Sequence, residues 1–159
     1  AGEFISRKNE YYFNDKIILN NNDEGIIRYI GYLINKNDIY YGIEIIKSNE
    51  NCGKINGGIY KGQQYFKLRN NRKGKFIKQK SIIKSEKTSQ SIKYTINQEV
   101  YCNKANSYGI IKCVCIPPYS KNNKIYIGIS FKTMKGNCNG LYKGYKYFEC
   151  PNKKGIYCS

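Results

Sequence analysis

Residues 58–66 read Gly58-Ile59-Tyr60-Lys61-Gly62-Gln63-Gln64-Tyr65-Phe66, and residues 140–148 read Gly140-Leu141-Tyr142-Lys143-Gly144-Tyr145-Lys146-Tyr147-Phe148. Upstream, Tyr40-Tyr41-Gly42-Ile43 matches Tyr126-Ile127-Gly128-Ile129, and Gly25-Ile26-Ile27-Arg28 matches Gly109-Ile110-Ile111-Lys112. Further back, Asn14-Asp15-Lys16-Ile17-Ile18-Leu19-Asn20 lies opposite Asn97-Gln98-Glu99-Val100-Tyr101-Cys102-Asn103. The blocks keep their order. Their offset is 83 or 84 early, 86 in the middle and 82 late, so the differences in length fall in loops. A period this long signals two copies of one small domain rather than a solenoid.

Each copy breaks into short runs of Ile, Val, Tyr and Phe separated by Asn-Asn, Asn-Gly, Lys-Gly and Asn-Lys pairs. Strands are expected at 16–19, 25–30, 39–46, 64–68 and 75–77, and again at 99–102, 109–115, 124–131, 146–150 and 155–158. No window sustains a helical apolar period over three turns. Short strands with tight connections in about 70 residues suit a small antiparallel barrel, because closure removes exposed edges. The fold class is therefore all-β, with domains at 14–84 and 94–159. The polar, aromatic-free stretch from Lys84 to Ser91 reads as a linker, assigned to 85–93. Residues 1–13 read as a cloning remnant, Ala1-Gly2-Glu3-Phe4, followed by a tail. The first copy runs on past Gly74 through Phe76, Ile77, Ile82 and Ile83, whereas Gly155 is followed only by Ile156-Tyr157-Cys158-Ser159. The last strand of the second copy is expected to be cut off or supplied by another segment.

The 159 residues carry 28 Lys or Arg, 11 Asp or Glu and no His, a net charge of +17. Residues 61–84 hold nine of those basic side chains and no acid. Such a field draws in acidic partners and speeds their encounter. The missing histidine removes the commonest general base, together with the Ser–His, Cys–His and His–metal sets. The acids are scattered, and no paired-carboxylate or phosphate-cradle pattern stands out. The chain is expected to be no enzyme and to need no cofactor. Its seven cysteines include one Cys-x-Cys but no Cys-x2-Cys. They read as small buried hydrophobes of a reducing compartment rather than a metal site. No apolar run approaches the ~18 residues of a membrane helix, so a soluble chain without a membrane partner is expected.

Tyr40, Tyr60, Tyr65 and Phe66 surround one glycine loop, and Tyr126, Tyr142, Tyr147 and Phe148 the other. That is more aromatic surface than two small cores can hold. Some of it is expected to line an exposed groove of the kind that docks peptides.

In these pieces both copies resemble the CAP-Gly domain of cytoskeleton-associated proteins. That family's pattern runs Gly-x-Val-x-x-x-Gly, Trp-x-Gly-Val, Gly-Lys-Asn-Asp-Gly, Gly-x-x-Tyr-Phe-x-Cys and Gly-x-Phe. The first copy carries Gly25-Ile26-Ile27-Arg28-Tyr29-Ile30-Gly31, Tyr40-Tyr41-Gly42-Ile43, Gly62-Gln63-Gln64-Tyr65-Phe66 and Gly74-Lys75-Phe76. The second carries Tyr126-Ile127-Gly128-Ile129, Gly136-Asn137-Cys138-Asn139-Gly140 and Gly144-Tyr145-Lys146-Tyr147-Phe148-Glu149-Cys150. The resemblance implies two SH3-like, partly open antiparallel barrels in tandem, cytoplasmic and cytoskeleton-associated, without catalysis. Its groove would hold the acidic C-terminal tail of tubulin or of a microtubule end-binding protein, with basic residues bonding the carboxylates. The groove then maps to Lys54, Asn56, Tyr40 and Phe66 in copy one, and to Asn137, Asn139, Tyr126 and Phe148 in copy two.

The signature is altered in both copies. Counting back from Gly62, Ile55 stands in the lysine position; a one-residue insertion would instead align Gly53-Lys54 with the first pair. Asn137 takes the lysine position of copy two, and Tyr replaces Trp in both. Tandem copies with such changes are also similar to the CAP-Gly modules of the cylindromatosis-type deubiquitinase, which implies a second reading: an adaptor for proline-rich peptides. Charge interleaved with tyrosine allows a third, nucleic-acid binding on stacking aromatics, but no RNA-binding signature accompanies it.

Overall fold

The structure, a computed structural model, describes residues 11–48, 57–69 and 72–159. In the first copy they form β1 (Lys16–Leu19), β2 (Glu24–Gly31), β3 (Tyr40–Lys47), β4 (Ile59–Tyr60), β5 (Gln63–Gln64), β6 (Lys73–Ile77) and β7 (Ile82–Glu86). The second gives β8 (Glu99–Cys102), β9 (Ser107–Cys115), β10 (Tyr126–Ser130), β11 (Leu141–Tyr142), β12 (Tyr145–Lys146) and β13 (Gly155–Cys158). One 3₁₀ turn, Gln79–Ser81, is the only helical segment among the described residues. The runs expected at 64–68 and 146–150 end as strands after Gln64 and Lys146. Each continues into a Tyr-Phe pair whose two rings are both buried, and adjacent residues of a regular strand point to opposite faces.

The repeat is visible in the backbone. Asn14 and Asn97 share a φ of 72° and donate their N–H groups to the carbonyls of Ile27 and Ile111, at 2.9 and 2.8 Å. Asparagine tolerates this left-handed conformation better than most residues, so both copies start from the same turn.

The tandem all-β architecture is as expected, but the sheets are open and do not close into barrels. Nine strands form one antiparallel sheet along the path β13–β10–β9–β2–β1–β7, with β3 and β6 joined beside β2 and β8 joined beside β9. One edge of β2 lies against β3 throughout. On the other, residues 24–26 pair with β1, while Tyr29 and Ile30 pair with Cys115 and Val114 of β9. Strand β9 mirrors this, with β10 on one edge and β8 followed by β2 on the other. The edge that a closed barrel would have to seal is covered by the other copy, which satisfies its N–H and C=O groups equally well.

Three apolar clusters fill the fold. One is built on Phe13, Ile17, Leu19, Ile27 and Ile43 of copy one and reaches Ile111 and Val114. A small one holds Cys102, Ile129, Phe131 and Ile156 of copy two. The third lies at the junction and mixes Tyr29, Tyr65 and Phe66 with Cys113, Cys115, Tyr147, Phe148 and Tyr157. Within it Tyr65 and Tyr147, the same position of the repeat, stand 5.4 Å apart. Polar contacts add to the seam. The Gln63 amide donates to the Lys146 carbonyl and accepts from its N–H, at 2.9 and 3.0 Å, and the Tyr147 hydroxyl donates to the Gln64 carbonyl.

The connection expected to be a linker is fastened down. Ser85 and Glu86 still pair with β1. The Ser91 hydroxyl donates to the buried Asp15 carboxylate at 2.7 Å, and Ile92 N–H donates to the Phe13 carbonyl at 3.0 Å. Tyr11 and Phe13, counted with the tail on sequence grounds, are buried in the first core. Strand β7 covers β1; among the described residues β8 has no equivalent neighbour.

Candidate peptide-binding grooves

Each copy of the nine-residue cassette folds as a minimal hairpin, β4–β5 or β11–β12, closed by Lys61-Gly62 or Lys143-Gly144. All four turn residues have positive φ, 48°, 81°, 51° and 87°, as a type I′ turn requires. Glycine adopts this freely, whereas a lysine there costs about 1–2 kcal/mol. The turns carry the two ammonium groups over aromatic faces. Lys61 Nζ lies 5.9 Å from the Tyr60 ring centroid, and Lys143 Nζ lies 5.5 and 5.6 Å from those of Tyr119 and Tyr142. Behind each hairpin the chain passes against a backbone carbonyl. A Cβ at Gly58 would sit 2.4 Å from the Phe66 oxygen, and at Gly140 1.9 Å from that of Phe148.

In copy two this builds a face of four half-buried tyrosines. Tyr119 packs on Tyr126, Tyr142 and Tyr145 with centroid separations of 5.7, 5.5 and 6.1 Å. Its hydroxyl is buried without a hydrogen-bond partner, the one such side-chain atom among the described residues, and burial pushes its ionisation well up. Copy one has a thinner version. Tyr60 packs edge-on against Phe76 at 6.2 Å, and Lys78 Nζ sits 5.6 Å from the Tyr40 ring while bonding Asp38 at 2.9 Å. Where copy two has Tyr145, copy one has Gln63, which is occupied at the seam.

A family model for the CAP-Gly domain matches the chain twice, at residues 13–82 and 96–159. The chain belongs to the CAP-Gly family. Searches of curated proteins and of solved structures returned no match. CAP-Gly domains are protein-binding modules of the cytoskeleton rather than catalysts, and the two aromatic clusters described above lie on the copies so matched. No helix among the described residues is long and apolar enough to cross a membrane.

Of the residues mapped onto the CAP-Gly groove, Tyr40 and Tyr126 are half-buried, and Asn137 and Asn139 are exposed. The Asn139 side chain accepts from Leu141 N–H at 3.1 Å, which shapes the entry to β11. Phe66 and Phe148 are 1% and 5% exposed. They pack against the Cα positions of Gly42 and Gly128 and lie beneath the surface, so neither ring faces solvent. Lys54 and Asn56 fall outside the described residues. Sequence reasoning missed Tyr119, Tyr145 and Lys143. The available signal was Pro117-Pro118, which ends β9 and turns the chain back, with Ser120 N–H donating to the Pro117 carbonyl at 2.9 Å. An aromatic placed just after such a turn is free to fold over neighbouring strands. The six described cysteines are free thiols, four of them buried, and burial pushes Cys115 and Cys138 upward.

Proposed function

We propose that the two CAP-Gly copies bind acidic C-terminal tails of tubulin or of a microtubule end-binding protein through their tyrosine grooves. The observation that carries this reading is the copy-two face, where Lys143 stands over Tyr119 and Tyr142 and Tyr119 packs on Tyr126. The ammonium supplies a charge-assisted hydrogen bond to a carboxylate, and the rings a surface for an apolar or aromatic end. Asn137 and Asn139 flank the approach to β11. Tyr40, Lys54, Asn56 and Tyr60 would form the equivalent groove of copy one. Two weak sites on one chain raise apparent affinity by about 10²–10⁴-fold where both engage.

Co-sedimentation of the full chain with microtubules, before and after proteolytic removal of the tubulin tails, tests this. Pelleting that disappears with the tails is expected; pelleting indifferent to them, or none, would sink the reading. The four-tyrosine face favours a second reading, docking of a proline-rich peptide, since aromatic-lined grooves suit polyproline helices. A peptide array returning only proline-rich hits would replace the first reading with this one.

A further inference from the structure

Between the copies lies a cleft of about 440 Å³, whose lining includes none of Tyr119, Tyr126, Tyr142, Lys143 or Tyr145. One wall is the β2–β3 connection, residues 32–37; the other is Lys112 of β9 with residues 146–149. Its volume falls within the ~300–1,000 Å³ common for ligand sites. The lining is amphipathic. Leu33 is buried and Ile34 half-buried, while Lys36, Lys112 and Lys146 bring three ammonium groups against one carboxylate, Glu149. Glu149 is bonded by Lys146 at 3.0 Å and its side chain is 85% exposed.

Lys112 differs from its counterpart in the other copy in having no neighbouring carboxylate at the Glu44 position. Its counterpart Arg28 is neutralised by the fully buried Glu44, which also receives Arg72 at 2.7 Å and Arg69 at 3.5 Å. The residue at the Glu44 position in copy two is Ser130. Lys112 therefore has no carboxylate partner among the described residues and rests 5.9 Å from the Tyr32 ring centroid. Lys36 is exposed and likewise makes no ion pair among them.

We propose that this junction binds an internal acidic peptide segment, with carboxylates on Lys36 and Lys112 and an apolar side chain against Leu33 and Ile34. A free phosphate would leave the apolar floor unused. A single-stranded nucleic acid stacks its bases on a series of open rings, whereas here Tyr147 is buried and only the half-buried Tyr32, beside Lys112, is left. The site exists only where both copies are present, and it stands independently of the groove reading.

The test titrates the isotope-labelled full chain with an acidic-apolar hexapeptide, Glu-Glu-Leu-Glu-Glu-Leu, blocked at both ends so that it presents no terminal carboxylate. Amide shifts are expected at 32–37, 112 and 146–149 rather than at 119–126 and 139–145. Lys112→Gln should weaken binding by about tenfold or more, and the exposed Lys36→Glu by several-fold, which keeps the test open should Lys112→Gln fold poorly. Ser130→Glu, which removes no lysine, should weaken binding by pulling Lys112 away, while Ser130→Gln should not. Lys143→Glu should leave this peptide's affinity within about twofold. Shifts confined to the grooves, no binding, or the same shifts from inorganic phosphate or a polyuridylate strand would overturn the proposal. A failure of microtubule pelleting with these shifts intact would remove the groove reading alone.

Discussion

Ile30 lies directly across the β2–β9 ladder from Val114, the residue that holds its own position in the second copy. The two copies thus meet about a pseudo-twofold axis, as two subunits do in an isologous dimer. Both residues are buried, at 2% and 0% exposure, so the seam is part of the core rather than a contact between finished domains.

The full chain should accordingly unfold in one cooperative transition. Ile30→Ala should cost about 2–4 kcal/mol, and its effect should be non-additive with that of Val114→Ala by about 0.5 kcal/mol or more. Urea denaturation followed by circular dichroism and tyrosine fluorescence checks both statements. Two resolved transitions, one per copy, would contradict the shared core.

Glu44 is the buried carboxylate on which three arginines converge. Removing Glu44 leaves Arg28, whose side chain is only 15% exposed, without its counter-ion, so Glu44→Ala should destabilise by about 3 kcal/mol. The same change at Ser130, its counterpart, should stay within about 0.5 kcal/mol. The comparison of urea midpoints isolates the ionic cluster from the strand position.

Gly140 and Gly144 both have positive φ, but only Gly140 faces a backbone carbonyl at 1.9 Å from an added Cβ; at Gly144 the space is open. Gly144→Ala should cost about 1–2 kcal/mol from conformation alone. Gly140→Ala should cost more, because the Phe148 carbonyl must also move. Equal losses in melting temperature would mean that the hairpin shifts freely on the core.

Burial raises the ionisation of Tyr29, Tyr65, Tyr119, Tyr147 and Tyr157, and pushes Tyr41 up to about 12. Unfolded tyrosines ionise near 10. Below that pH both states are neutral and stability is unaffected. From about 10 upward the unfolded chain loses protons that the folded chain retains, so for Tyr41 stability falls across the window from 10 to about 12. Tyrosinate absorbance should rise in two steps, the buried set contributing only with unfolding. A single step at the ordinary value would show that the buried rings are open to solvent.

Asn139→Ala removes the acceptor for Leu141 N–H and should cost about 0.5–1.5 kcal/mol. If the side chain also meets a ligand, the loss of affinity should exceed the fraction unfolded. Calorimetry of the melting transition beside a tail-peptide titration separates the two, and affinity that tracks only stability would mark Asn139 as a turn residue.

Much of this was legible in the chain. The duplicated cassette, Asn14 with Asn97, and the strands at 16–19, 99–102 and 155–158 are local signals, written in φ requirements and apolar alternation that a few neighbouring residues settle. The groove was legible only in part. Tyr40 and Tyr126 could be nominated by pattern, but Phe66 and Phe148 could not be told from surface rings. Their burial depends on the chain leaving the strand and on glycines at 42 and 128 from another element.

The sequence by itself determined that there are two copies, that they are all-β, and where their tight turns fall, because turn geometry and strand alternation act over a handful of residues. Only the tertiary structure decided that the sheets stay open and fuse, that Tyr119 folds back over Tyr126, Tyr142 and Tyr145, and that Lys112 faces a cleft with no carboxylate partner of its own among the described residues. Each of these rests on residues far apart in the chain, where edge pairing and burial of large rings outweigh any preference that the local segment expresses.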